Sequence, residues 1–208
     1  STPIKSSAAS DVYKRQPITG LQIRINFYTN RGCVLEDVIE NHFYNYFSLV
    51  NPLIIGRKES IAGKPTDGIV RFYDENRNVK FWILQETKRD IGINSVFVHG
   101  SLLQAMMYLG NVYYDTSTHL GVDNFNGVFL DSARYFCYIP RKEIDTLMEK
   151  FEPLWRKYFR VSPSKAYKEP ELESFAELAM YSLRHRVKAL DEHFRLDLLL
   201  KEIYYNNV

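Results

Sequence analysis

Cysteine is nearly absent from this chain. Cys33 and Cys137 are its two, with no C-x-x-C pair, so neither a zinc site nor a disulfide framework organises the fold. Long apolar runs are missing as well. No stretch approaches the ~20 residues needed to cross a bilayer, and no secretory signal is visible. No membrane partner is therefore expected, and a reducing cytoplasmic setting is. Charge of one sign is also lacking, since the formal net charge is only +2. Lys5, Lys14 and Arg15 against Asp11 account for all of it, leaving 24 basic against 24 acidic side chains in the remainder. Net charge thus argues neither for nor against nucleic acid, because a basic face can coexist with acidic metal ligands. Internal repeats are absent. The first sixteen residues are small and polar with no apolar period, and read as a non-native or disordered tail. The chain beyond them has the apolar and charged content of an ordinary globular domain, with Tyr and Phe plentiful.

The stretch 64–90, KPTDGIVRFYDENRNVKFWILQETKRD, is the part around which the chain is organised. Asp67 opens one apolar run that continues through Tyr73. Asp74, Glu75, Asn76, Arg77 and Asn78 have turn composition, and a second run covers residues 79–84. In that second run apolar side chains occupy both parities (Val79, Phe81, Trp82, Ile83, Leu84), as in a strand covered on both faces. It then breaks into Gln85, Glu86, Thr87 and Lys88. Strand side chains alternate, so Glu86 and Lys88 share the face of Trp82 and Leu84. Two carboxylates chelate a hard divalent ion through oxygen, and a lysine beside them can hold a water and balance charge at a phosphate. Taken alone, the same residues also make a turn and a solvated ion pair.

Asp67 followed by Glu86-Thr87-Lys88 resembles the D…(D/E)xK signature of the PD-(D/E)XK nuclease superfamily. The family's proline stands directly before its aspartate, whereas here the order is Pro65-Thr66-Asp67. A helix expected over residues 101–111, with Ser101 as a candidate N-cap, carries Gln104 and Tyr108 four apart and so on one face. An amide within an apolar helix needs a partner. Gln104-x-x-x-Tyr108 after the ExK strand resembles the further motif of the superfamily's RecB-like branch. The resemblance spans roughly residues 34–139. It implies that Asp67 and Glu86 bind Mg²⁺ (or Mn²⁺), aided by a backbone carbonyl from Gln85, that Lys88 orients or deprotonates the attacking water, and that Gln104 and Tyr108 support it. It further implies that Glu40, or Glu36, from a first helix joins the metal site. A boundary carboxylate in water is the alternative for both.

Elsewhere, residues 34–50 read as an amphipathic helix stopped at Asn51-Pro52, with His42 a half-buried helix residue. Residues 91–100 read as a loop able to cover the site, with His99 its imidazole. Residues 111–124 are polar and turn-rich. Residues 127–130 and 135–139 form a hairpin pattern around Asp131, Ser132, Ala133 and Arg134, ended by Pro140. One amphipathic helix is expected over residues 142–159. Arg156, Lys157, Arg160, Lys165 and Lys168 cluster at and beyond its end, a candidate phosphate-contact surface or a set of solvated helix-end charges. From Glu171 onward there is neither Gly nor Pro, which reads as one long helix or two.

The expected architecture is α/β, a restriction-endonuclease-like core whose central mixed sheet is flanked by helices, with a helical C-terminal extension. Residues 1–16 are tail, 17–140 the nuclease core and 141–208 the connector. The expected activity is Mg²⁺-dependent endonucleolytic hydrolysis of double-stranded DNA, in a restriction or defence setting. A methyltransferase or NTPase module is the expected companion. A non-catalytic DNA- or protein-binding module on the same sheet, and a RecB-like exonuclease or junction nuclease, are the alternatives.

Overall fold

In a computed structural model, residues 47–48, 51–88, 94–115, 118–132, 135–189 and 196–205 are described. Among the described residues, eight strands and five longer helices follow in order. They are β1 (Ile54–Arg57), β2 (Ser60–Ile61), β3 (Lys64–Pro65), β4 (Gly68–Tyr73), β5 (Val79–Thr87), α1 (Asn94–Tyr114), β6 (Phe125–Asp131), β7 (Tyr135–Pro140), α2 (Arg141–Lys150), α3 (Glu152–Tyr158), α4 (Pro170–Leu183), β8 (Lys188–Ala189) and α5 (Leu196–Tyr205). The fold is α/β. Six strands form a mixed sheet in the order β1-β4-β5-β6-β7-β8, and β2 pairs with β3 in a separate hairpin. Within the six, β5 and β6 run parallel and the other neighbours are antiparallel. A parallel pair cannot be joined by a tight turn, and α1 is the crossover that links it.

Strand alternation sorts the apolar side chains into two cores. Ile69, Trp82, Leu84, Val128, Leu130 and Ile139 face α1 to α4, meeting Leu102, Met106, Trp155, Phe175 and their neighbours. Val70, Phe72, Phe81, Ile83, Phe129 and Tyr138 face the other way, onto Phe47 and onto Leu199, Leu200 and Ile203 of α5. The expected double-sided burial is thus realised over residues 81–84 by helices on both faces of the sheet, whereas Val79 and Lys80 at the start of β5 are exposed.

Several boundaries differ from the sequence expectation, each for a physical reason. Helix α1 begins at Asn94, so the loop expected over 91–100 is helical from that residue, and Ser101 lies buried inside the helix rather than capping it. The helix also runs on through Tyr114, because Leu109 and Val112 keep the inward stripe going. Asp131 is the last residue of β6, not a turn residue. The helix expected over 142–159 divides at Phe151, with Pro153 opening α3, since proline is tolerated in a first turn but not in a helix interior. After α4 a short strand, β8, intervenes before α5 and pairs with β7 at the sheet edge. Residues 141–205 therefore do not stand apart as an extension. Their helices supply part of both cores, and β8 lengthens the sheet. Of the expected first helix only residues 47–48 are described, and they are helical; the rest of it, with His42, and the expected tail lie outside the described residues.

Gly127 sits where β6 and β7 press closest. A Cβ there would lie 2.5 Å from the Ile139 carbonyl oxygen and 2.8 Å from the Tyr138 ring. Backbone cannot yield as a side-chain tip can. Gly127→Ala is expected to cost about 1–3 kcal/mol, by analogy with overpacked cores, read as a lowered urea midpoint. An unchanged midpoint would contradict this packing.

Candidate active site

Register brings the acidic residues together. In the β4–β5 ladder Ile69 pairs with Leu84 and Gly68 with Gln85. One step further, Asp67 faces Glu86 across the strands, and parity puts both on the face of Ile69 and Leu84, under α1. The Asp67 Oδ2 atom accepts a 2.8 Å hydrogen bond from the Thr87 backbone N–H, which fixes the carboxylate at the strand end. The Lys88 ammonium lies 3.7 Å from Asp67 Oδ2 and 2.5 Å from Glu86 Oε1, and donates to the Thr87 carbonyl at 2.9 Å. Asp67, Glu86 and Lys88, read from the sequence as one constellation, do converge.

Their exposure differs in a way that matters. The Glu86 side chain is 1% exposed, whereas those of Asp67 and Lys88 are 24% and 23% exposed. The site therefore has a buried floor and an open rim, at the carboxyl end of the parallel strand β5, where ligands gather in open α/β sheets. Glu86 Oε1 is held by Lys88, but Oε2 is buried without a hydrogen-bond partner. Burial pushes the Glu86 carboxyl well above the usual carboxylate range. The Lys88 charge pulls it back, and the neighbouring Asp67 raises it further. The Lys88 ammonium thus reaches both carboxylates.

Helix α1 closes the site from above. Tyr108 is almost buried, and its hydroxyl donates to the Pro65 carbonyl at 2.5 Å. Its phenol is pushed up from its ordinary value, first by burial and then by the charges of Glu86 and Asp67. Thr66 secures the other side. Its N–H and hydroxyl each donate to the Glu59 carbonyl at 2.8 Å, holding the Pro65–Asp67 segment against the β2–β3 hairpin. Lys64 ties that hairpin down at its other end, donating to the carbonyls of Phe159 (2.8 Å) and Val161 (3.2 Å).

Gln104 stands one turn before Tyr108, is half-buried, and makes no hydrogen bond among the described residues. Gln85 keeps its side chain out of the constellation. It lies inside the β4–β5 ladder opposite Gly68, and its side chain points to the far face of the sheet, where Nε2 donates to Asp131 Oδ2 at 3.2 Å. Thr87 contributes its backbone at the site, its N–H donating to Asp67 and its carbonyl accepting from Lys88. Glu40 and Glu36 lie outside the described residues, as does the His99 side chain. Sequence reasoning missed the buried polar group behind the site, Gln85, Thr87, Asp131 and Ser132. The alternation of β5 could have located its first two members, since Gln85 and Thr87 continue the face of Phe81 and Ile83.

Comparison with protein-family models, with curated proteins and with solved structures finds no match.

The Glu86 environment has a consequence for pH. A carboxyl with its folded value above its unfolded one binds more protons when folded, so stability falls as pH rises from the ordinary glutamate range (about 4.3) toward the raised folded value. In EDTA, the urea midpoint is expected to decline with rising pH across that window, and Glu86→Gln is expected to flatten the decline. An equal slope in the variant would contradict the assignment.

Proposed function

We propose that the chain is a metal-dependent deoxyribonuclease that hydrolyses phosphodiester bonds in double-stranded DNA, and that its sheet is a restriction-endonuclease-like core. The observation that carries this reading is the Glu86 carboxylate, buried with one oxygen lacking a hydrogen-bond partner and set across the ladder from Asp67. Keeping the buried Glu86 carboxylate ionised costs several kcal/mol unless cations stand close by, and a divalent ion at its unbonded oxygen would be one.

The donor set fits a hard divalent ion. Asp67, Glu86 and the Thr87 carbonyl are all oxygen donors, and Mg²⁺ is content with few protein ligands because it keeps waters. Among the described residues no group of three or more His, Cys, Asp or Glu side chains is placed to hold a metal, so the fit rests on these two carboxylates and a backbone oxygen. When bound, such an ion supplies Lewis-acid activation of water and screens charge at the phosphate.

The chain's own residues would do the rest. Lys88 is pre-oriented by Glu86 and the Thr87 carbonyl and reaches the open rim. There it orients or deprotonates a water and offsets charge on the phosphate. The water oxygen joins phosphorus, the bond to the leaving ribose oxygen breaks, and the proton released by water ends on that oxygen. Tyr108 holds Pro65, and through it the approach of Asp67, from the helix side. Gln104 is one turn away on the same helix and is left to contact substrate.

Nicking of supercoiled plasmid tests the proposal. The chain is expected to nick in Mg²⁺ or Mn²⁺ and to stop in EDTA. Lys88→Ala is expected to lose about 10²- to 10⁴-fold in rate, the span of positioned acid–base and electrostatic assistance. Activity that survives Lys88→Ala removes this mechanism, and failure to cut any form of DNA removes the reading.

A further inference from the structure

Arg160, Lys165 and Lys168 form a second charged feature, away from the carboxylates. None has a carboxylate partner among the described residues, whereas nearby Arg156 and Lys157 are paired with Glu152 and Glu171. Their placement comes from a 3₁₀ helix over Pro163–Lys168. Side chains three apart eclipse in such a helix. Pro163 and Ala166 accordingly turn inward and are buried, while Lys165 and Lys168 project together into solvent.

This basic face is fastened directly to the proposed site. Lys64 Nζ grips the Phe159 and Val161 carbonyls on either side of Arg160, and Asn111 of α1 donates to the same Phe159 carbonyl at 2.9 Å. Lys64 is three residues from Asp67, a span of no more than ~11 Å even when fully extended. The aromatic rings alongside are already covered by cations, Arg156 over Tyr114 (4.5 Å) and Arg160 over Phe159 (5.3 Å). Covered rings do not offer the open stacking platforms by which single strands are held. Projecting point charges suit phosphates.

We infer that Arg160 with the Lys165–Lys168 face is a phosphate-contact ramp for duplex DNA, leading away from the Asp67–Glu86–Lys88 site. The inference rests on the nuclease reading and adds to it the side on which the duplex leaves the site.

The test measures equilibrium binding of a labelled duplex of about 30 base pairs to the full chain carrying Lys88→Ala, in Mg²⁺, between about 50 and 200 mM salt. Adding Lys165→Glu and Lys168→Glu is expected to lower affinity at least about tenfold and to reduce the slope of log affinity against log salt by about two, near one per lost phosphate contact. Lys142→Glu with Lys150→Glu makes the same formal charge change on α2 and is expected to leave the slope in place. The ramp is overturned if the Lys165/Lys168 pair binds like its parent, or if the Lys142/Lys150 pair loses as much. Should the wild type still cut DNA in either of those cases, the nuclease reading survives alone. Should the parent fail to bind duplex at all and the wild type fail to cut, both fall together.

Discussion

The pairing register of β4 against β5 is the constraint on which the other features depend. With Ile69 opposite Leu84, the next side chains on that face are Asp67 and Glu86, at the point where the ladder ends. A slip of one residue would send every side chain of one strand to the other face and leave one carboxylate on each side of the sheet. The register is held because both faces are buried. Trp82 and Leu84 are committed to the α1 side and Phe81 and Ile83 to the α5 side, and the Trp82 indole N–H donates to the Gly121 carbonyl at 3.1 Å. Hydrophobic burial thus does the electrostatic positioning. It drives Glu86 under a helix, where its charge is costly, and leaves Asp67 and Lys88 at the rim, where solvent and ligands reach.

The site stays aligned because it is tied to distant parts of the chain. Tyr108 bonds Pro65, Thr66 bonds Glu59, and Lys64 bonds the segment just after α3. Residues beyond 140 thereby belong to the same packed unit. Trp155 and Phe175 pack edge to face at 4.5 Å in the core beneath α1, and Asn126 of β6 donates to the Ile203 carbonyl of α5 at 2.8 Å. A helix dissolved from that region would loosen α1, and with it the cover over Glu86.

Alternation made the central strands and their polar ends legible in the sequence. Residues 79–84 announce a doubly buried strand, and Glu86 and Lys88 inherit a face from Trp82 by counting alone. The convergence of Asp67 was readable only as far as the motif order carried it, since its partner is chosen by pairing across a turn. Local pattern failed where tertiary burial overrides it. Ser101 looks like a cap but is swallowed by a helix that starts earlier, and the glycine-free run after Glu171 looks helical throughout but yields β8 to the sheet edge. Asp131 looks like turn material because its burial depends on elements far away in the chain.

The central claim is that Asp67 and Glu86 leave negative charge that one hard divalent cation satisfies. Counting bound Mn²⁺ by electron paramagnetic resonance tests it most directly, with Mg²⁺ as competitor and without any DNA present. One Mn²⁺ per chain is expected, displaced by Mg²⁺ and lost in Asp67→Asn and in Glu86→Gln. A wild-type chain that takes up no Mn²⁺, or variants that hold it as tightly as the wild type, would contradict the claim.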